Sequence, residues 1–298
     1  MIVRPAQHWF KMLFVWNGSV LQSIIPQLAV VGVFSVLAVA THGVIFGEKI
    51  PLSATTFTLF GFILAIFLVF RNNASFARFT EGRQLWGNAM VAARTITSQA
   101  LSYLPLGAQE RLADQLIAFT YALKHQLRGS DPSADLTRLL GVEQAQALQP
   151  ACYKPVMILN QIRQQLAAAS GSEFTRLMFD TQLNELEKCV GGCERILGTP
   201  IPFAYSVLLH RSVYGYCLLL PFGLVDSTEF LTPLMCLFIS YTLIALEAIA
   251  SEVGDPFGMA PNALPLDAIV RTTERSVLEL CGRALPPDTA PASDWQLT

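Results

Sequence analysis

Residues of the types that carry out chemistry are few in this sequence: four histidines, His8, His42, His125 and His210, and six cysteines at 152, 189, 193, 217, 236 and 281. Nucleophilic, metal-assisted or phosphoryl chemistry needs such groups to converge, and known spacings announce it: HExxH, GxSxG, or glycine-rich loops for phosphates and dinucleotides. None of these spacings occurs. Cys189 and Cys193 stand as CxxxC, but no second pair and no nearby histidine completes a zinc set. Two small reduced thiols one helical turn apart fit as well. An enzyme, a bound metal and a cofactor are therefore not expected. His42 is expected near a membrane interface and not as a ligand. Arg211 and Glu247 lie at similar distances before and after the 226–229 loop. They are expected to form a structural ion pair, within one subunit or between neighbours, because an ionisable group at membrane depth usually has a partner. The alternative is that each reaches water separately.

Something must hold these groups, and composition says what. Of the residues 52% are hydrophobic and 14% charged, with mean hydropathy +0.44, too apolar for an ordinary soluble domain. A formal net charge of −2 offers no polycation to nucleic acid. Uncharged runs cover 20–47, 50–70, 196–209, 212–225 and 230–246. A bilayer core of about 30 Å takes roughly 20 helical residues, so the third and fourth runs must join. The expectation is an all-α membrane protein with four transmembrane helices near 24–46, 54–78, 202–225 and 230–252. Arg4 and Lys11 before Ala38, Val39 and Ala40 imitate a secretory signal. The polar lead-in is too long for one and further apolar segments follow, so the first run is read as a retained span.

An even number of spans places both termini on one side. Thirteen basic residues lie between 71 and 195, Arg4 and Lys11 precede the first span, and Arg271, Arg275 and Arg283 follow the last. One short loop carries Lys49 as its single basic residue, and the other carries Asp226 and Glu229 with no basic residue. Positive charge marks the cytoplasmic side, which predicts cytoplasmic termini and a cytoplasmic middle segment. There, apolar residues recur at helical spacing: Leu85, Ala89, Ala92, Ile96; Leu112, Leu116, Phe119, Leu123; Ile158, Ile162, Leu166; Leu177, Leu183, Leu186, Val190. Pro132, Pro150 and Gly171 punctuate them. The helical cytoplasmic part is thus expected over 79–201 and 253–283, within one domain spanning 1–280, followed by a disordered or peripheral tail at 284–298.

The second span turns polar without a glycine or proline exit. In "FRNNASFARFTEGRQLWG", Phe70 to Gly87, residues 72–77 permit helix to continue toward Trp86. Upstream, Phe62, Ile66 and Phe70 are spaced by four and flanked by Gly61 and Ala65, an apolar stripe with small residues for close helix approach. Such a stripe faces lipid or packs against protein, or it lines a pore that gates by dewetting; the residues alone leave both open.

The stretch at 70–87 resembles the signature that follows the second span in the bestrophin family of pentameric ion channels. "QLNELEKCVGGCERILGTPIPFAYSVLL", Gln182 to Leu209, and "DPFG", Asp255 to Gly258, are similar to two further segments of that family, and the likeness runs from about residue 4 to 280. It implies a symmetric homopentamer with Phe62, Ile66 and Phe70 as the apolar neck, and a cytosolic constriction at Leu177 with Asp180 one turn on. A ring of Asp180 carboxylates would favour cations, so the resemblance with bacterial members implies passage of sodium or other monovalent cations, with chloride as the alternative and a non-conducting scaffold as a remoter one. The implied partners are the chain itself, the permeant ions and the lipid bilayer, with no nucleic acid. The compact chain implies a bacterial inner membrane. Calcium-activated animal members hold calcium in an acidic clasp. Glu252 and Asp255 occupy two such positions here, but "MAPNA", 259–263, replaces the aspartate run. Calcium takes about six to eight oxygens, so no calcium activation is expected.

Overall fold

The computed structural model describes residues 1–3, 8–16, 18–45, 48–49, 54–169, 171–288 and 297. Arg4, residues 46–47 at the expected end of the first span, 50–53 at the start of the second run, and the tail apart from 284–288 and 297 lie outside them. Eleven helices and one short strand pair follow one another among the described residues: α1 Trp9–Met12, α2 Leu21–Ala40, β1 Val44–Ile45, β2 Glu48–Lys49, α3 Ala54–Tyr103, α4 Leu106–Arg128, α5 Ser133–Leu140, α6 Val142–Leu148, α7 Lys154–Ala169, α8 Glu173–Gly198, α9 Phe203–Thr228, α10 Thr232–Gly254 and α11 Leu266–Leu280. Three stretches, Leu21–Ala40, Thr55–Tyr103 and Phe203–Gly254, are long and apolar enough to cross a membrane. The last is divided by a 3₁₀ turn at Glu229–Leu231 into α9 and α10.

The chain forms two compact units. One comprises 4–78 and 200–255. Its core joins Ile24 and Val31 of α2, Phe57, Leu64 and Leu68 of α3, Val213, Cys217 and Leu220 of α9, and Cys236 and Ile244 of α10. Helices suit this composition because apolar surroundings leave backbone groups no partner but one another. Glycines set the closest approaches: a Cβ on Gly223 would stand 2.4 Å from the Phe57 ring, and one on Gly61 would stand 2.8 Å from the Tyr216 hydroxyl. The first span, expected to reach residue 46, ends as helix at Ala40. His42 and Gly43 adopt left-handed backbone, φ 51 and 73, and the chain enters a two-residue antiparallel pairing, Val44 with Lys49 and Ile45 with Glu48.

The other unit comprises 1–3, 79–199 and 256–298. Its centre is α4, whose residues 115 to 124 are all buried, with α5, α7, α8 and α11 packed around it. The expected stripes meet there: Ala89, Ala92 and Ile96, Leu112, Leu116, Phe119 and Leu123, Ile158, Ile162 and Leu166, and Leu183, Leu186 and Val190. One member does not. Leu177 is 66% exposed and Phe179 takes the core position of that turn at 1%, since 179, 183, 186 and 190 share one face of α8 and 177 lies roughly 160° away from 179. Gly82 and Phe257, from two of the family-like motifs, touch: a Cβ on Gly82 would lie 3.1 Å from the Phe257 ring.

Candidate functional site

α3 presents two faces before residue 78. Phe57, Leu64, Leu68, Arg71 and Ser75 are buried. A displacement of two residues rotates a helical position by roughly 200°, which turns the Phe62, Ile66 and Phe70 stripe away from them. Their exposures are 65%, 41% and 62%. The three side chains therefore form one apolar ridge that their own unit leaves uncovered, as it also leaves Leu59, Phe60 and Val69 of the same helix, and an uncovered apolar face of this extent meets lipid, a second copy or a pore lumen more readily than bulk water. Gly61, expected to admit a neighbouring helix, receives Tyr216 of α9.

Just past Phe70 the buried face turns polar. Arg71 is 5% exposed and donates from Nη1 to Ser206 Oγ at 2.7 Å. Asn72 Nδ2 donates to the Leu68 carbonyl at 2.9 Å. Arg78 Nε donates to the Gly254 carbonyl at 2.9 Å, a cation on the last carbonyl of α10, where the helix dipole is negative. Sequence reasoning read this stretch for helix continuity and missed the buried arginine. Its signal was a charge one residue beyond the ridge.

Glu247 stands beside His210, Oε1 to Nδ1 3.5 Å, and not beside Arg211. One residue is roughly 100° of helix rotation. That step points His210 along α9 to Tyr214, ring centroids 4.3 Å apart, and places Arg211 with Gly215 and Leu219 on the wall of an apolar cavity of about 400 Å³ shared with Phe60, Ile63 and Phe67 of α3. Among the described residues Arg211 forms no ion pair. The expected pairing within one subunit is thus replaced by His210 with Glu247.

In the other unit, Asp180 does not stand alone. Arg163 grips one face of α8: Nε donates to Asp180 Oδ1 at 3.0 Å, Nη2 to Asn184 Oδ1 at 2.9 Å, and Nη1 to Glu187 Oε1 at 2.8 Å. Two carboxylates thus share one guanidinium, and the trio keeps an excess negative charge. Leu177, one turn before Asp180, is exposed. Cys189 and Cys193 face the core, where burial pushes their thiols up to about 11 and about 12. Both are neutral at ordinary pH, which leaves them poor nucleophiles and poor metal ligands.

A dense ionic cluster that sequence patterning did not reveal links α4, α5 and α11. Glu274, 1% exposed, accepts from the Tyr121 hydroxyl at 2.7 Å, Arg138 Nη1 at 2.7 Å and Arg271 Nη1 at 2.9 Å. Burial and the Glu274 carboxylate push the Tyr121 hydroxyl far above its usual range. Asp267 accepts from Lys124 Nζ at 2.9 Å and Arg128 Nη1 at 2.6 Å. Burial raises its carboxyl, but these two cations outweigh it and hold the group below the usual carboxylate value. His125 Nε2 lies 3.0 Å from Asp135 Oδ2.

Glu252 is half-buried and Asp255 is exposed. Among the described residues no three His, Cys, Asp or Glu side chains converge as a metal site.

The chain is similar to known proteins along almost its whole length. Residues 1–279 match the family described as bacterial/fungal bestrophin protein. A voltage-dependent anion channel-forming protein of Ralstonia nicotianae is 40% identical over 98% of both chains, and one of Escherichia coli K12 is 38% identical over the whole of both. The crystal structure of a bacterial bestrophin homologue from Klebsiella pneumoniae superposes with a TM-score of 0.84 at 40% identity, covering 88% of this chain and 99% of that one. An apolar ridge left open on a long helix, a predominantly helical fold and these likenesses agree, and the chain belongs to the bacterial/fungal bestrophin family.

Proposed function

We propose that copies of this chain assemble as a homopentameric channel in a bacterial inner membrane, through which small monovalent ions pass. Each subunit contributes four transmembrane helices, α2, the first half of α3, α9 and α10, and keeps both termini in the cytoplasm, with residues 1–280 as the channel domain. Phe62, Ile66 and Phe70 form the neck, and Leu177 with Asp180 forms a second, cytosolic constriction. The observation that carries this is the ridge: three large apolar side chains at i, i+4 and i+8, 41–65% exposed, on the side of α3 opposite its buried face. An apolar constriction of this kind regulates passage by wetting and dewetting.

Anions are the favoured cargo, because the relatives are named as anion channel-forming proteins. Cations form a second reading, favoured by the excess carboxylate among Asp180, Glu187 and Arg163. Reversal potentials in asymmetric potassium chloride decide between them: a shift toward the chloride equilibrium potential supports the first reading and toward the potassium potential the second. Ile66→Ala widens the neck and is expected to raise unitary conductance several-fold; an unchanged conductance marks the ridge as mere packing. The clasp positions Glu252 and Asp255 lack the further carboxylates that calcium needs, so currents are expected to be equal in micromolar calcium and in chelator.

A further inference from the structure

The polar groups on the buried face of α3 form an unusual set. Arg71 Nε makes no hydrogen bond, and no carboxylate pairs with the guanidinium among the described residues. One turn on, Ser75 is fully buried and its Oγ also lacks a protein partner, although a helical serine ordinarily returns its hydroxyl to the carbonyl four residues back. Ser206 Oγ accepts from Arg71, which leaves its own O–H free to donate. It lies in the first turn of α9, at the positive end of the helix dipole, and Pro202 caps that end with no side-chain hydrogen bond. Gly254 packs close against Ser75, where a Cβ would lie 3.1 Å from the hydroxyl, and its carbonyl is already taken by Arg78.

All three side chains are donors here, and none supplies a negative charge. One hydrogen bond to a neutral hydroxyl does not offset taking a guanidinium out of water. Water would serve the hydroxyls but would leave the charge uncompensated.

We propose that Arg71, Ser75 and Ser206 bind a small monovalent anion, a halide such as chloride, inside each subunit. The ion accepts from Arg71 Nε–H and the Ser75 hydroxyl and neutralises the arginine on the α3 face turned away from the ridge. The site is independent of whether ions pass along that ridge, so its failure and that of the channel reading are separable.

Two measurements on the purified full-length protein test it. A structure determined in bromide should show an anomalous peak within hydrogen-bond distance of Arg71 Nε; a water there without anomalous signal overturns the proposal. Thermal unfolding should shift upward by about 2 °C or more when gluconate is replaced by chloride at constant ionic strength. That shift should disappear in Ser75→Ala, a small change expected to fold, and in Arg71→Met, where no charge remains to be neutralised. Equal melting of the wild type in both salts, or a chloride shift undiminished in Ser75→Ala, refutes the site.

Discussion

Glu274 shows what a buried carboxylate does in this protein. Its two oxygens take three donors on three helices, so Glu274→Ala strands two guanidinium groups and a phenol at once. Arg138 and Arg271 still reach water, with side-chain exposures of 45% and 28%. The expected loss is therefore about 2–3 kcal/mol, below the full penalty for an orphaned buried charge, readable as a lower melting temperature. Asp267 contributes one pH dependence. Its folded pKa lies below the unfolded value of 3.8, so its contribution is fully present above that value and is lost as pH falls through the folded pKa. Stability is expected to stay level from neutral pH to about pH 5 and to drop below pH 4. In Asp267→Asn the drop should be shallower, and a wild-type drop centred near pH 6 would contradict this assignment.

α3 is the element on which the rest depends. At 50 residues it extends for about 75 Å, and it carries both the ridge and the buried Arg71. Its continuity was legible in the sequence, because 72–77 contain no helix breaker. Its rotation was less so: the four-residue spacing showed that Phe62, Ile66 and Phe70 share a face, but only packing of Phe57, Leu64 and Leu68 against neighbouring helices fixed which face is left open. Asn73 is exposed, so Asn73→Pro tests helix continuity and nothing else. It should cost about 3 kcal/mol through the lost hydrogen bond and the clash with the carbonyl four residues back, while Asn73→Ala should be near neutral. The same logic explains the expectation at Leu177. A helical stripe can be drawn through it, yet Phe179 fills the core because burial rewards the larger ring on the face that α4 and α7 share.

For the whole molecule, the test is whether the ridges of several copies face one another. Cysteines placed around a narrow axis form a soft-metal site, so Ile66→Cys should make conductance sensitive to micromolar cadmium. Leu64→Cys, on the buried face of the same helix, should not. Block at Leu64→Cys alone would invert the proposed orientation of α3.

The order of apolar and charged segments, the helical period and the long uninterrupted second span were determined by the sequence, because hydrophobicity and backbone propensity act locally. Partner choice was not. His210 and not Arg211 meets Glu247, Arg163 holds Asp180, and Arg71 turns inward to Ser206. Each depends on a helix rotation of roughly 100° per residue and on which neighbours close around it, quantities that only the folded chain decides.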